Sequence, residues 1–324
     1  FSIQFYGKIA MSILLAWVLF FTPWINIPTY PIENAFAQSV STCLNPVNVP
    51  LEDLHWVYVP RNVTELETQE DYFFLAGQLI AVGTVDAKGC PSGGLQMNGY
   101  ANACGISLAK PTVLTIQNML NQSILDAWRN AGVPPVLLKQ MIRYESQFWP
   151  SRYNLTHYGF GHLTNIGIRN ALQWNPRLYD QYCRPNAASD CSSDTALADR
   201  ILSSLVATCP SCKYGIDPQA ADRTVNVLAE ALLGYCFQTA KLVFNATGWY
   251  SNLVVDYPTI WKLTLMNYNA GSQCVFNAVT LAFGETQGPM KWSNIMANTE
   301  GDQCSRGVKY ANNITAKYFN FPPQ

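Results

Sequence analysis

Leu137-Leu138-Lys139-Gln140-Met141-Ile142-Arg143-Tyr144-Glu145-Ser146-Gln147-Phe148 follows directly on Pro134, Pro135 and Val136. Proline suits the first turn of a helix, where its missing N–H is no loss, so a helix is predicted to start there. Read at helical period, Leu137, Leu138, Met141, Ile142 and Glu145 share one face. That face is apolar except for its last member, a carboxylate. An acid that closes an apolar stripe is either a surface Glu near a helix end or a group held partly out of water. Desolvation penalises the charged form and raises a carboxyl pKa, which is how a general acid is made. Both readings stand on this stretch alone.

Outward from it the pattern stays helical. Ile116, Met119, Leu120, Ile124, Leu125 and Trp128 keep a helical stripe after Pro111, ended by Gly132. Downstream, Ile168–Leu172, Leu197–Val206, Trp261–Tyr268, Val275–Phe283 and Tyr310–Phe319 read as further helices. The stretch Ala221–Val243 is apolar on more than one face, which predicts a central buried helix. Tyr153 to Asn165 is Gly-rich and polar, a loop too long to be mere connection. Upstream, residues 38–51 read as a linker and Trp56-Val57-Tyr58-Val59 as a short strand or extended segment. Phe73–Val82 fits a buried helix or strand, and Cys90-Pro91-Ser92-Gly93-Gly94 a loop. The fold class expected is mainly α.

The chain has 324 residues, enough to bury a core, with 49% hydrophobic and 13% charged residues and a net charge of −1. This is neither a disordered composition nor the basic one of a nucleic-acid binder, so no nucleic-acid partner is expected. Ile9 to Thr22 is almost wholly apolar behind Lys8, and Ala35-Phe36-Ala37 offers a small-x-small cleavage site. Residues 1–37 therefore read as a signal peptide or, if Trp24, Ile25 and Ile27 extend the stretch, a membrane anchor. Either implies an exported protein, secreted or held at the cell envelope. In that setting the ten cysteines read as disulfides of undetermined pairing. Cys209-Pro210-Ser211-Cys212 also has the spacing of a redox pair or half a zinc site, but no second such motif accompanies it. Neither a metal nor a cofactor is expected.

Three short motifs occur in order: Glu145-Ser146-Gln147-Phe148-Trp149-Pro150, then Gly159-Phe160-Gly161-His162-Leu163, then Tyr268-Asn269-Ala270-Gly271. The ordered triple resembles the soluble lytic transglycosylases, peptidoglycan-cleaving enzymes with a lysozyme-like fold. It spans residues 145 to 271, with weaker similarity from about Cys104 to the C-terminus. Gly161 and His162 stand where that family usually has Met and Gln. The resemblance implies a lysozyme-like helical domain over residues 105–324, with residues 38–104 as an accessory or linker segment.

It further implies cleavage of the MurNAc-β-1,4-GlcNAc bond of peptidoglycan strands by one carboxylate. Glu145 would protonate the glycosidic oxygen, then take the proton of the sugar's own C6 hydroxyl, leaving a 1,6-anhydro end without water. Ser146 would orient the carboxyl or the substrate. Phe160, Gly161 and His162 would line the glycan groove. Tyr268 and Asn269 would face Glu145, with Ala270 and Gly271 allowing close approach to the sugar. Against these stand plainer readings: Ser146 as a helix-end residue, Tyr268 as a core tyrosine and His162 as an exposed loop residue. Two-carboxylate hydrolysis would need a second acid, and none occurs between Ser146 and Tyr179, although a distant Glu230 could fold in. A hydrolytic muramidase and an inactive lysozyme-like wall-binding or structural protein are the alternatives.

Overall fold

Residues 42–44, 54–183 and 191–316 are described by the computed structural model. Helices α1 (Phe73–Ala81), α2 (Ala103–Met119), α3 (Asn121–Ala131) and α4 (Pro135–Ser146) precede a small antiparallel hairpin, β1 (Arg152–Tyr153) and β2 (His157–Tyr158). Next come α5 (Asn165–Trp174), α6 (Pro176–Tyr182), α7 (Thr195–Ser203) and the long α8 (Pro218–Thr247). α9 (Ser251–Val254), α10 (Tyr257–Ala270), α11 (Ser272–Thr286), α12 (Trp292–Ala297) and α13 (Asp302–Thr315) complete a mainly α architecture. The helix starts follow from side-chain caps: Thr164, Asn175, Asp194, Asp217 and Asp256 each accept from N–H groups of the first turn. Pro135 opens α4 as its spacing predicts, and Gly132 ends α3 in the left-handed region at φ 71°.

α4 is buried on every side until its last turn. Leu137, Leu138, Met141 and Ile142 are fully inaccessible, and so is Lys139 on the opposite face. Its ammonium donates to Leu66 O at 2.5 Å, Asn118 Oδ1 at 3.1 Å and Asn121 Oδ1 at 2.7 Å. Three donors thus meet three oxygens, as a charge taken out of water requires. Burial nevertheless pulls its pKa from 10.5 to about 7, with the charge of Glu67 acting the other way.

Two sequence expectations need correction. The stripe read from Pro111 to Gly132 as one run is two helices, α2 and α3, broken at Leu120; α2 starts at Ala103, where Asn102 caps the Gly105 N–H at 3.0 Å, and Pro111 sits in its interior. Trp56 lies in a 3-10 turn, His55–Val57, that packs on α4 rather than in a strand. The described residues fall in one compact unit. The Asn118 amide binds both backbone groups of Thr68, and Gln117 does the same for Glu70. A Cβ on Gly77 would stand 2.2 Å from the Gly99 carbonyl, so α1 is pressed onto the loop before α2. The expectations for residues 1–37 lie outside the described residues.

α8 is long and apolar enough to cross a membrane by length and composition, but 72% of its apolar window is buried inside the protein. It is the central helix, packing against α3, α5, α10 and α11. All ten cysteines are paired: Cys43–Cys236, Cys90–Cys104, Cys183–Cys191, Cys209–Cys212 and Cys274–Cys304. Such pairing suits an oxidising, exported compartment.

Candidate active site

Glu145 ends the apolar stripe of α4 with its side chain 16% exposed, neither solvated nor sealed. The chain after it turns through two left-handed residues, Gln147 (φ 46°) and Phe148 (φ 65°). Non-glycine residues adopt this conformation only where the surroundings impose it. Here the Gln147 side chain accepts the Phe74 N–H at 2.9 Å, and Phe148 is wholly buried against the Tyr72 ring, 5.3 Å away. The sharp exit leaves Glu145 at the end of a rigid helix, a good platform for a group that must be placed accurately.

Two groups meet the carboxylate. The Tyr310 hydroxyl, from α13, donates to Oε1. His162 Nδ1 stands 3.3 Å from Oε2. His162 itself has φ 55°, and its ring lies parallel to Tyr153 with centroids 5.0 Å apart and His157 edge-on at 6.1 Å. Both neighbours belong to the hairpin, so the Gly-rich loop carries local structure rather than being open coil. Tyr268 donates to the Gly161 carbonyl at 2.7 Å, and Tyr235 packs edge-on against its ring. Burial first, then the negative charge of Glu145, push the phenols of both Tyr268 and Tyr310 well above the ordinary 10. They therefore stay protonated, and remain donors, across the neutral and mildly alkaline range.

The residues singled out in the sequence separate into two groups. Glu145, His162 and Tyr268 converge, with Gly161 joining them through its backbone. A Cβ at Gly161 would lie 2.3 Å from Leu228 Cδ1, so the loop backbone is laid directly on α8. Ser146 does not face the carboxylate: it is buried, and its hydroxyl donates to Ile142 O within the helix at 3.0 Å. Adjacent helical positions point about 100° apart, which is why the pair cannot share a face. Phe160 is fully buried and packs in the core instead of lining a groove. Asn269 is exposed on the last turn of α10, whereas Asn267 is buried and donates to Gln238 and Thr239.

Ala270 and Gly271 serve the fold. Gly271, at φ 92°, ends α10, and Ala270 packs on α13, where a Cβ on Gly307 would come within 2.6 Å of the Ala270 Cβ. Gln303 Nε2 donates to Ala270 O at 2.9 Å, and Cys274–Cys304 bolts α11 to α13. This clamp brings Tyr310, one turn after Gly307, to Glu145. Tyr310 is the site residue that the sequence reading missed, having been read only as part of a closing helix. Its signal was the spacing of Gly307, Tyr310, Ala311 and Ile314, an i, i+3, i+4, i+7 stripe of small and apolar residues carrying one hydroxyl.

Glu230 is elsewhere, held by Arg177 Nη2 at 2.7 Å and Asn175 Nδ2 at 2.7 Å. Among the described residues, no other carboxylate bonds to Glu145, His162, Tyr268 or Tyr310. No family model, curated protein or solved structure matches the chain.

Proposed function

We propose that this protein is a peptidoglycan lytic transglycosylase built on a lysozyme-like helical domain and acting outside the cytoplasm. The observation that carries the reading is a lone carboxylate, mostly withdrawn from water at the end of a buried helix, with the Tyr310 hydroxyl donating to one oxygen, His162 Nδ1 facing the other, and no second acid bonded to the cluster among the described residues. A single carboxyl can serve both proton transfers if the nucleophile comes from the sugar itself. Glu145 protonates the glycosidic oxygen; the resulting carboxylate, steadied by the Tyr310 hydroxyl and faced by His162, then accepts the C6 hydroxyl proton as that oxygen closes on C1. No water is consumed.

Mass spectrometry of purified peptidoglycan digested with the protein tests this. Anhydro-muropeptides are expected, lighter by one water than reducing-end products. Reducing ends instead would mean hydrolysis by the same acid, and no release from any wall type would mean a binding or structural role. Tyr310→Phe removes one charge-assisted donor while keeping the ring that packs edge-on against Tyr144. Its turnover should fall about tenfold, in line with roughly 1.5 kcal/mol for such a bond, with KM little changed. Wild-type rates in this variant would exclude a role for the hydroxyl in the reaction.

A further inference from the structure

Arg169 lies on the face of α5 that also carries Ile166, Asn170 and Gln173, and these side chains line an open pocket with Ser192 and Ser193. The pocket has a volume of about 380 Å³, within the range of small-ligand sites. Among the described residues no acidic one lines it. Asn170 is already engaged, exchanging amide hydrogen bonds with Gln238 at 3.0 and 2.9 Å. Arg169 is not: among the described residues it forms no ion pair, and its Nε–H is buried without an acceptor. A guanidinium offers five donors and no acceptor, and a donor cut off from water with nothing to bond calls for a ligand or another partner.

We propose that this pocket is an anion subsite in which Arg169 takes a carboxylate of the peptide stem carried by the glycan strand, an inference that rests on the cleavage reading above. The planar guanidinium fork matches a carboxylate with two parallel bonds. Once the lactyl group of the muramic sugar is amidated by its stem, the sugars are uncharged and the carboxylates sit on the peptides. The reach fits as well. From His162 to Asn165 the chain covers at most about 11 Å, and from Asn165 to Arg169 the helix rises about 6 Å. An extended stem of four or five residues spans about 13–18 Å, enough to bring its carboxylate to Arg169 from a sugar seated at Glu145.

The test uses the full chain and a muramyl pentapeptide as probe, titrated calorimetrically against wild type and Arg169→Gln. Binding should weaken at least tenfold in the variant. KM for stem-bearing glycan should rise by a similar factor at unchanged kcat, whereas amidase-stripped glycan should be cut equally by both proteins. Gln173→Glu, which places a competing carboxylate beside Arg169 at an exposed position, should weaken peptide binding too and covers the case of a poorly folded Arg169 variant. The inference falls if the wild type does not bind the peptide, or if both variants bind it as the wild type does. It falls equally if inorganic phosphate binds more tightly than the peptide in an Arg169-dependent way. Arg169-dependent peptide binding without any glycan cleavage would leave the subsite standing and remove the transglycosylase reading.

Discussion

Glu145→Gln is expected to lower peptidoglycan turnover by about 10³- to 10⁴-fold, or roughly 4–5.5 kcal/mol of transition-state stabilisation. The upper part of the general-acid range applies because, in the proposed reaction, one group performs both proton transfers, so one substitution removes both. The amide keeps the size of the carboxyl, and its oxygen can still accept from Tyr310, so folding should be unaffected. Glu145→Asp separates chemistry from placement. It keeps the acid but withdraws it by one methylene from the Tyr310 hydroxyl and from His162, and a displacement of that size costs about a hundredfold. Muropeptide release measured by mass spectrometry, with thermal unfolding as the control for folding, decides the matter. A glutamine variant within tenfold of wild type would remove Glu145 from the reaction.

The second large effect concerns stability. Lys139→Met should destabilise the fold by about 3 kcal/mol, since it strips a donor from Leu66 O and Asn121 Oδ1, both left without it in the core. Asn118 loses less, because its Oδ1 still accepts the Thr68 N–H. The substitution should also change how stability depends on pH. Burial lowers the Lys139 pKa from 10.5 to about 7, so between those values the unfolded chain holds a proton that the folded chain has shed. Unfolding then takes up a proton, and wild-type stability should rise with pH from about 7 upward, with the full penalty of burying the ammonium present below that. Tyr235, raised to about 12 by burial, works in the opposite sense, because its contribution is lost as pH climbs past the unfolded value near 10. Burial lowers Lys262 too, with the same sign, so the difference between wild type and Lys139→Met in melting temperature from pH 6.5 to 9.5 isolates Lys139. A rise in the wild type that is flattened in Lys139→Met is expected; a wild type already flat over that range would refute it.

Much of the helical fold was legible because it depends on local chemistry. Pro135 and Gly132 mark helix ends through their own backbone preferences, and both stand at the ends read from them. The break at Leu120 between α2 and α3 was not legible, because the apolar spacing runs straight through it. Within the site, Glu145 could be found because an acid at the end of an apolar stripe is a local anomaly. Tyr310 could not, since its partner is 165 residues away and the contact depends on Gly307 allowing α13 to settle on α10. Ser146 and Phe160 show the converse error. A residue can belong to a contiguous motif and still point into the core, because helix geometry rather than sequence adjacency decides which side chains meet.

Cys43 is joined to Cys236 across a sequence separation of 193 residues, and Cys236 lies fully buried in the middle of α8. A pull applied to the chain ahead of Cys43 would pass through the sulfur bridge into the central helix. The intervening polypeptide, which holds Glu145, His162 and the helices that seat them, would bear no tension while the bridge stays intact. Between Cys43 and the C-terminal helix the covalent load path would skip the backbone that carries Glu145 and His162 and run instead through α10 and α13, which carry Tyr268 and Tyr310.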